Sequence, residues 1–426
     1  MGMLPAWKGA AQLQPEQCDH RIYEGKDKAN TEMRSGDRLA ICISAFKIFT
    51  SHLKTVILSV VEGPRNISTH RDSSDLFEHK SSSGALPNPT YCPVKRITPD
   101  HCYANPALLQ LHSQSMQTLT ELNDQFGIPH VLVFAEGKGG LLCAQITTEA
   151  CSATLYLQGA HLAHWQPTGQ KPVLFLSGRS NFTEGKAIRG GVPVIFPWFG
   201  QRTGARTDGP MHGFARTEVW QVALAAFSGK DLHLTLTLGP SEESRKLGFD
   251  NFRVAYELVL GSTLTMRISV VNHAETPLHF EEALHTYFAV GEPEHLRIYG
   301  LGHTEFLDKT DSFKRKTQTE DVLTLHQTTD RPYLNTTATV TLEDPDLSRR
   351  IVVAKQGSKT TVVWNPWSQV AATLADFPPE GWRSMTCIET ANAADNALTL
   401  QPKEAHTMEA KISIEPFSGS ATERVQ

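Results

Sequence analysis

The stretch Asp231-Leu232-His233-Leu234-Thr235-Leu236-Thr237-Leu238 decides the fold, because leucine occupies every second position and polar residues fill the others. Successive side chains of a strand point to opposite faces, so this pattern predicts a strand that buries its leucine face. The same alternation recurs at 264–270, and similar patterns predict strands at 153–157, 350–354, 360–364 and 408–414. A helical stripe over three turns is missing, although a short helix is expected near 240–246. We therefore predict an all-β fold, one large antiparallel β-sandwich.

The first 115 residues differ from the rest of the chain, because they show no sustained period of 3.6 or 2. They contain 13 basic and 11 acidic residues, and this balance argues against a transit peptide, which is poor in acids. We predict a poorly ordered N-terminal extension at 1–115, the sandwich domain at 116–418 and a short tail at 419–426. A further hypothesis is that the extension is non-native sequence upstream of a real start near Met116.

Composition excludes several classes of protein. The 426 residues carry 40 Lys+Arg and 45 Asp+Glu, a net charge of −5, which gives no global attraction to nucleic acid or to an anionic membrane. Neither a run of about 18 apolar residues nor a signal peptide is present. The seven cysteines form no CxxC pair, so reduced thiols and a cytoplasmic location are expected. A small polyanionic ligand would therefore need a few placed arginines.

Three polar clusters interrupt the strand pattern. In the first, Arg189 precedes two glycines and a proline, which favours either close approach to a ligand or an ordinary tight turn. In the second, His212 and Arg216 have a spacing that suits contact with an anion or a sugar hydroxyl. In the third, His285 lies among strand-forming residues, where a histidine is more often a hydrogen-bonded core residue than a catalyst.

Two carboxylates extend the list of candidates. Asp330 lies at an expected strand end, and Glu389 follows an apolar run, so Glu389 is either a buried carboxylate with a shifted pKa or a residue that holds a loop. His161 and His164 would point to opposite faces of a strand, and no other metal-ligand spacing follows them. No metal is assigned.

Together these segments resemble the aldose 1-epimerase superfamily, and within it the hexose-6-phosphate mutarotases. The resemblance covers about 300 residues in family order, and its motifs are 157–161 (LQGAH), 188–193 (IRGGVP), 212–216 (HGFAR), 284–288 (LHTYF), 329–331 (TDR), 364–366 (WNP) and 388–391 (IETA). It implies a large antiparallel β-sandwich with a cleft on one face, and interconversion of the α and β anomers of a hexose 6-phosphate.

The resemblance also implies roles for individual residues. Glu389 matches the family's base and His285 its general acid, while His212 matches a second histidine that binds substrate and supports ring opening. The phosphate would be bound by Arg189 and Arg216, and sugar hydroxyls by Asp330. Met211 occupies a position where relatives carry a polar contact residue, so only a backbone contact is expected there. No metal, nucleotide or redox cofactor is needed.

Two alternatives stay open. The chain would act on unphosphorylated aldoses if the arginines bind hydroxyls, or it would be a non-catalytic carbohydrate-binding sandwich. A pure binder has no need of both His285 and Glu389, which favours the enzyme. We expect a monomer whose partner is a small sugar phosphate, with no nucleic acid and no membrane.

Overall fold

The computed structural model describes residues 117–204 and 206–417. The predicted extension 1–115 and tail 419–426 lie outside the described residues, as do four of the seven cysteines. The cysteines that are described, Cys143, Cys151 and Cys387, are buried free thiols. The longest described helix has eight residues, and no helix in this part of the chain is long and apolar enough to cross a membrane.

Strands dominate the described chain. The helices are α1 (Leu119–Phe126), α2 (Glu242–Lys246) and α3 (Trp367–Ala371), with 3-10 turns at Lys138–Gly140, Pro293–His295, Lys309–Asp311, Gly381–Ser384 and Ala394–Asn396. The strands are β1 (Leu132–Glu136), β2 (Leu142–Thr147), β3 (Cys151–Tyr156), β4 (His161–Pro167), β5 (Val194–Ile195), β6 (Gln221–Ser228), β7 (Asp231–Leu238), β8 (Phe252–Leu260), β9 (Leu264–Asn272), β10 (Leu278–Phe280), β11 (Glu282–Leu284), β12 (Tyr287–Ala289), β13 (Arg297–Tyr299), β14 (Glu305–Asp308), β15 (Lys314–Thr317), β16 (Val322–Leu323), β17 (Thr329–Tyr333), β18 (Val340–Asp344), β19 (Arg349–Gln356), β20 (Thr360–Asn365), β21 (Met385–Asn392), β22 (Leu398–Leu400) and β23 (Ala405–Pro416).

These strands form antiparallel sheets. A nine-stranded sheet has the order β16-β13-β18-β19-β23-β9-β8-β7-β6, and an eight-stranded sheet has the order β15-β14-β17-β20-β21-β11-β5, with β12 also paired to β21. A four-stranded sheet, β1-β2-β3-β4, and the pair β10-β22 complete the described set. One buried apolar cluster draws side chains from the nine-, eight- and four-stranded sheets. The predicted all-β sandwich is confirmed.

The strand predictions are confirmed at β3, β7, β9, β19, β20 and β23, and the short helix predicted near 240–246 is α2. The leucines of β7 are buried and its polar residues half-buried, as the alternation requires. Helix α1 was not predicted. It has two turns and buries only Leu122, so it has no long apolar stripe, and a capping box between Thr118 and Glu121 fixes its first turn.

Strand β21 carries the candidate residue Glu389, and this strand is buried on both faces. Ile388 on one face joins the large core between the sheets. Cys387 and Ala391 on the other face belong to two smaller apolar clusters. Glu389 points to that second face, since it lies two residues from each of them. The eight-stranded sheet therefore carries a carboxylate on the face turned away from the main core.

Candidate active site

The centre of the site is a histidine and a glutamate side by side. His285 lies between β11 and β12, and its Nδ1 is 3.3 Å from Oε1 of Glu389. The two atoms do not meet hydrogen-bond geometry, and both His285 Nδ1 and Glu389 Oε2 lack a hydrogen-bond partner among the described residues. His285 is 7% exposed and Glu389 1% exposed. Two proton-carrying groups are thus held together with unused hydrogen-bonding capacity.

A row of side chains across the sheet fixes the His285 ring. Pairing places Tyr287 opposite Cys387, Cys387 opposite Trp364, and Trp364 opposite Asp330. Opposite residues share a face, so these four side chains lie on the same side as Glu389. His285 and Tyr287 are two residues apart, and their rings stack with centroids 4.8 Å apart and planes 10° apart. The indole of Trp364 meets the His285 ring edge-on at 6.0 Å.

The loop before β5 brings Arg189 to this row. Its Nε donates to Asp376 at 3.2 Å, and its Nη1 donates to the Tyr287 hydroxyl at 3.1 Å. Gly191 makes this approach feasible, because it has φ +60° and a Cβ there would lie 2.4 Å from the Leu162 carbonyl oxygen. The Arg-Gly-Gly sequence is therefore a tightly packed loop that holds a guanidinium beside the site, and its arginine pairs with a half-buried carboxylate.

A second loop contributes His212 and Arg216. The amide nitrogen of Gly200 donates to His212 Nδ1 at 3.1 Å, so a neutral His212 carries its proton on Nε2 and is a donor there. The ring centroid of His212 is 5.5 Å from that of His285. Arg216 donates through Nη2 to the carbonyl oxygen of Met211 at 2.6 Å. The Met211 side chain is 53% exposed, and the carbonyl oxygen of the residue accepts this bond from Arg216.

Asp330 has a cationic partner that the sequence analysis missed. Lys309, in the 3-10 turn after β14, places Nζ 2.8 Å from Asp330 Oδ2. The same Nζ lies 5.6 Å from the centroid of Phe199, whose ring meets His212 edge-on at 4.9 Å. Lys309 therefore joins Asp330 to the His212 side of the site.

Electrostatics push the central pair toward its neutral forms. Burial raises the pKa of Glu389 well above 4.5, and the negative charge of Asp330 adds to this while Lys309 opposes it. Burial also lowers the pKa of His285 well below 6.5, assisted by the positive charges of Arg189, Arg216 and Lys309. The pKa of His212 is lowered too, mainly by burial. Burial therefore favours the neutral form of both His285 and His212 at pH 7.

Arg216 differs from the other cations of the site. Arg189 and Lys309 each pair with a carboxylate, whereas Arg216 makes no salt bridge to any of the described residues, and its Nε has no hydrogen-bond partner there. Burial lowers its pKa to about 10, so the guanidinium is still charged at pH 7. A half-buried cation without a carboxylate partner is a natural contact for an anionic group of a ligand.

His161 and His164, for which no metal was expected from the sequence, lie in different surroundings. His161 is buried beneath Gly191, where the Cβ of any larger residue would clash with its Nε2 at 2.7 Å. Burial lowers the pKa of His161 to about 3. His164 instead contacts the Ser152 hydroxyl at 3.3 Å. Within 117–204 and 206–417, one group of three side chains has metal-ligand character, His285, Cys387 and Glu389, whose donor atoms lie within 4.8 Å of one another.

The sequence profile of the aldose 1-epimerase family matches residues 143–413, which include every candidate residue named above. The chain belongs to the aldose 1-epimerase family. Membership confirms the family assignment made from the motifs, and it makes the protein an isomerase of the epimerase type.

Individual relatives resemble this aldose 1-epimerase family member in sequence, and a solved structure resembles it in fold. An Escherichia coli (strain K12) protein named "Putative glucose-6-phosphate 1-epimerase" is 37% identical over 254 residues, which cover 60% of this chain and 84% of the relative. A Cenchrus ciliaris protein of the same name is 32% identical over 285 residues, 63% of this chain and 83% of the relative. A solved Salmonella typhimurium structure, titled "putative mutarotase", aligns with TM-score 0.63 and 30% identity over 67% of this chain and 94% of that one.

The structure brings the predicted residues of this family member to one face, and it adds others. Tyr287 follows His285 at strand spacing, so the alternation rule was sufficient to place it beside that histidine. Lys309 and Asp376 are different, because they lie in turns far along the chain from their partners, and no local pattern marks either of them.

Proposed function

We propose that this epimerase interconverts the α and β anomers of hexose 6-phosphates, as the names of its relatives suggest. The observation that carries the proposal is the pair of proton-transfer groups 3.3 Å apart, with the half-buried Arg216, whose charge acts on His285 and which has no carboxylate partner in the described chain. In a cyclic sugar the anomeric hydroxyl and the ring oxygen are bonded to the same carbon. An acid and a base that lie side by side can therefore serve both oxygens.

The proposed reaction uses only groups of the chain. The Glu389 carboxylate takes the proton of the anomeric hydroxyl, and His285 as an imidazolium gives a proton to the ring oxygen. The bond between the anomeric carbon and the ring oxygen breaks, leaving an open-chain aldehyde, protonated Glu389 and neutral His285. Rotation about the bond next to the aldehyde presents its other face. Closure returns both protons and yields the other anomer.

The remaining residues position the substrate in this proposal. Arg189 and Arg216 bind the phosphate, with Arg216 free of a competing carboxylate in the described chain and Arg189 oriented by Asp376 and Tyr287. Neutral His212 donates from Nε2 to a sugar oxygen. Asp330 accepts from sugar hydroxyls, and Lys309 holds its carboxylate. Met211 offers its backbone only.

The test is NMR exchange spectroscopy of the anomers of glucose 6-phosphate and of glucose, each with the purified full chain near neutral pH. Faster exchange of the phosphate ester than of glucose is the expected result. Equal acceleration of both sugars would reduce the arginines to general sugar contacts. If a folded protein accelerated neither, the carbohydrate-binding interpretation would replace the enzymatic one.

We further propose that the active unit is one monomeric domain, 116–418, in the cytoplasm. The buried free thiols Cys143, Cys151 and Cys387 suit a reducing compartment. All seven proposed site residues lie within 116–418, so one domain supplies the whole proposed site. Light scattering coupled to size-exclusion chromatography tests the monomer, and limited proteolysis that leaves a fragment beginning near 116 tests the domain boundary.

A further inference from the structure

A thiol lies beside the catalytic pair and has no part in the proposed reaction. Cys387 precedes Glu389 by two residues on β21, so both side chains point to the same face. A ring nitrogen of His285, the Cys387 Sγ and a Glu389 oxygen lie within 4.8 Å of one another, and all three residues are buried. Proton transfer to a sugar uses the histidine and the glutamate but gives no role to the sulfur beside them.

We infer that His285, Cys387 and Glu389 form a binding site for a thiophilic divalent cation such as Zn²⁺, and that its occupation blocks the active site. Nitrogen, thiolate and carboxylate are the donors that Zn²⁺ takes, and three protein ligands with one open position form a common Zn²⁺ site. Bond lengths of about 2.0–2.3 Å place tetrahedral donor atoms about 3.3–3.8 Å apart. The separation of His285 Nδ1 from Glu389 Oε1 is already 3.3 Å, and all three donor atoms lie within 4.8 Å of one another, so a bound ion requires the sulfur to move by about 1 Å at most.

Charge and hydrogen bonding also suit a cation at this point. His285 Nδ1 and Glu389 Oε2 are buried atoms without hydrogen-bond partners in the described chain, and burial of such atoms destabilises the fold. A bound metal would supply the missing interaction. Binding exchanges the thiol proton of Cys387 and the carboxyl proton of protonated Glu389 for the metal, and these protons pass to solvent. One Zn²⁺, one thiolate and one carboxylate together are neutral. Arg189 and Lys309 weaken binding only in part, because each pairs with its own carboxylate. Arg216 also acts on His285 and has no carboxylate partner in the described chain, so it opposes the cation and lowers its affinity.

Co²⁺ is the probe for the binding half of the inference, since a Co²⁺–thiolate bond gives a charge-transfer band in the near ultraviolet. The full chain, stripped of metal and free of substrate, is titrated with Co²⁺. We expect the band at one equivalent in the wild type and its loss in Cys387→Ser. Cys151→Ser is the matched control, because Cys151 is also a buried thiol, on β3, and this variant keeps the band. A missing band, or one retained in Cys387→Ser, overturns the site.

The inhibitory half rests on the proposed function and is measured separately. Zn²⁺ should slow anomer exchange of glucose 6-phosphate in the wild type, and chelation should restore it. In Cys387→Ser the Zn²⁺ concentration for half-inhibition should rise at least about tenfold, since even second-shell changes at metal sites cost 10- to 100-fold. Equal inhibition of both proteins refutes the inference. A Co²⁺ band in a chain that exchanges no anomers would leave the metal site standing and reject the proposed function. If Cys387→Ser did not fold, Cys387→Ala would be used.

Discussion

Replacing Glu389 by glutamine should abolish most turnover while leaving sugar-phosphate binding in place. The amide keeps the size of the side chain but cannot take the anomeric proton. General acid–base catalysis contributes about 10²- to 10⁴-fold, or about 2.7–5.4 kcal/mol of transition-state stabilisation. We expect the upper part of that range. Glu389 is 1% exposed, so water has poor access, and Asp330 is engaged by Lys309 at 2.8 Å.

The same variant should be more stable than the wild type at neutral pH. Burial raises the folded-state pKa of Glu389 well above 4.5, which means that the folded chain binds this proton more tightly than the unfolded chain does. The stabilising contribution of the protonated carboxyl is complete below pH 4.5 and is lost as the pH rises through the folded pKa. Glutamine does not titrate. The difference in Tm, variant minus wild type, should therefore increase from pH 4.5 to pH 8.

The assays are anomer exchange by NMR, glucose 6-phosphate binding by calorimetry and thermal unfolding at both pH values. Glu282→Gln is the matched control, since Glu282 is also fully buried and on the neighbouring strand β11, but it binds Asn392 at 2.9 Å, away from the His285 pair. It should retain most of the activity. Turnover of Glu389→Gln within a few-fold of the wild type would refute the assignment of the base. A collapse of turnover in both variants would mean that packing was the cause.

Three further variants test the surroundings of the pair. Lys309→Met leaves the charge of Asp330 uncompensated, which raises the pKa of Glu389, so the acidic limb of the pH profile of kcat/KM should move to higher pH. The control Lys316→Met removes a partner of Asp308 and Asp311 and should leave that limb where it is. Arg216→Met should slow anomer exchange of glucose 6-phosphate by about 10- to 100-fold, because it removes one charged hydrogen bond to the phosphate, and it should slow exchange of glucose far less. Equal losses of rate for the two sugars would contradict phosphate binding by Arg216. The buried Asn365 side chain donates to the carbonyl oxygens of Trp382 and Met385 and accepts from the Trp367 amide nitrogen. Asn365→Ala removes these three hydrogen bonds, so the free energy of unfolding in urea should fall by about 3 kcal/mol. An unchanged urea midpoint would contradict this role.

The sequence was most informative where the fold repeats a simple rule. Alternation identified β7 and β9 because each has one apolar face in the core and one polar or half-buried face. It gave no account of β21, whose residues are buried on both faces, because periodicity alone cannot separate a polar residue in a second core from one in solvent. Glu389 therefore stayed ambiguous until the motifs were considered together.

The candidate site divides in a similar way. His212, Arg216, His285 and Glu389 lie within short motifs, so their chemistry was visible in the chain. Lys309 and Asp376 act through contacts with Asp330 and Arg189, which are 21 and 187 residues away along the chain. Such contacts depend on which strands are neighbours in the sheet, and the order β14-β17-β20-β21 cannot be predicted from the residues of any single segment.

The charges of the site suggest why a phosphorylated sugar would be the better substrate. The proposed reaction starts from protonated His285 and ionised Glu389, yet in the ligand-free chain burial favours neutral forms of both, and the positive charges of Arg189, Arg216 and Lys309 lower the pKa of His285 further. A phosphate dianion bound by the two arginines cancels part of that positive charge. The pKa of His285 then rises, and the proton that the reaction needs becomes easier to hold. A neutral aldose fills the same cleft without this effect. Selectivity for the phosphate would thus arise in the chemical step, in kcat, as well as in binding.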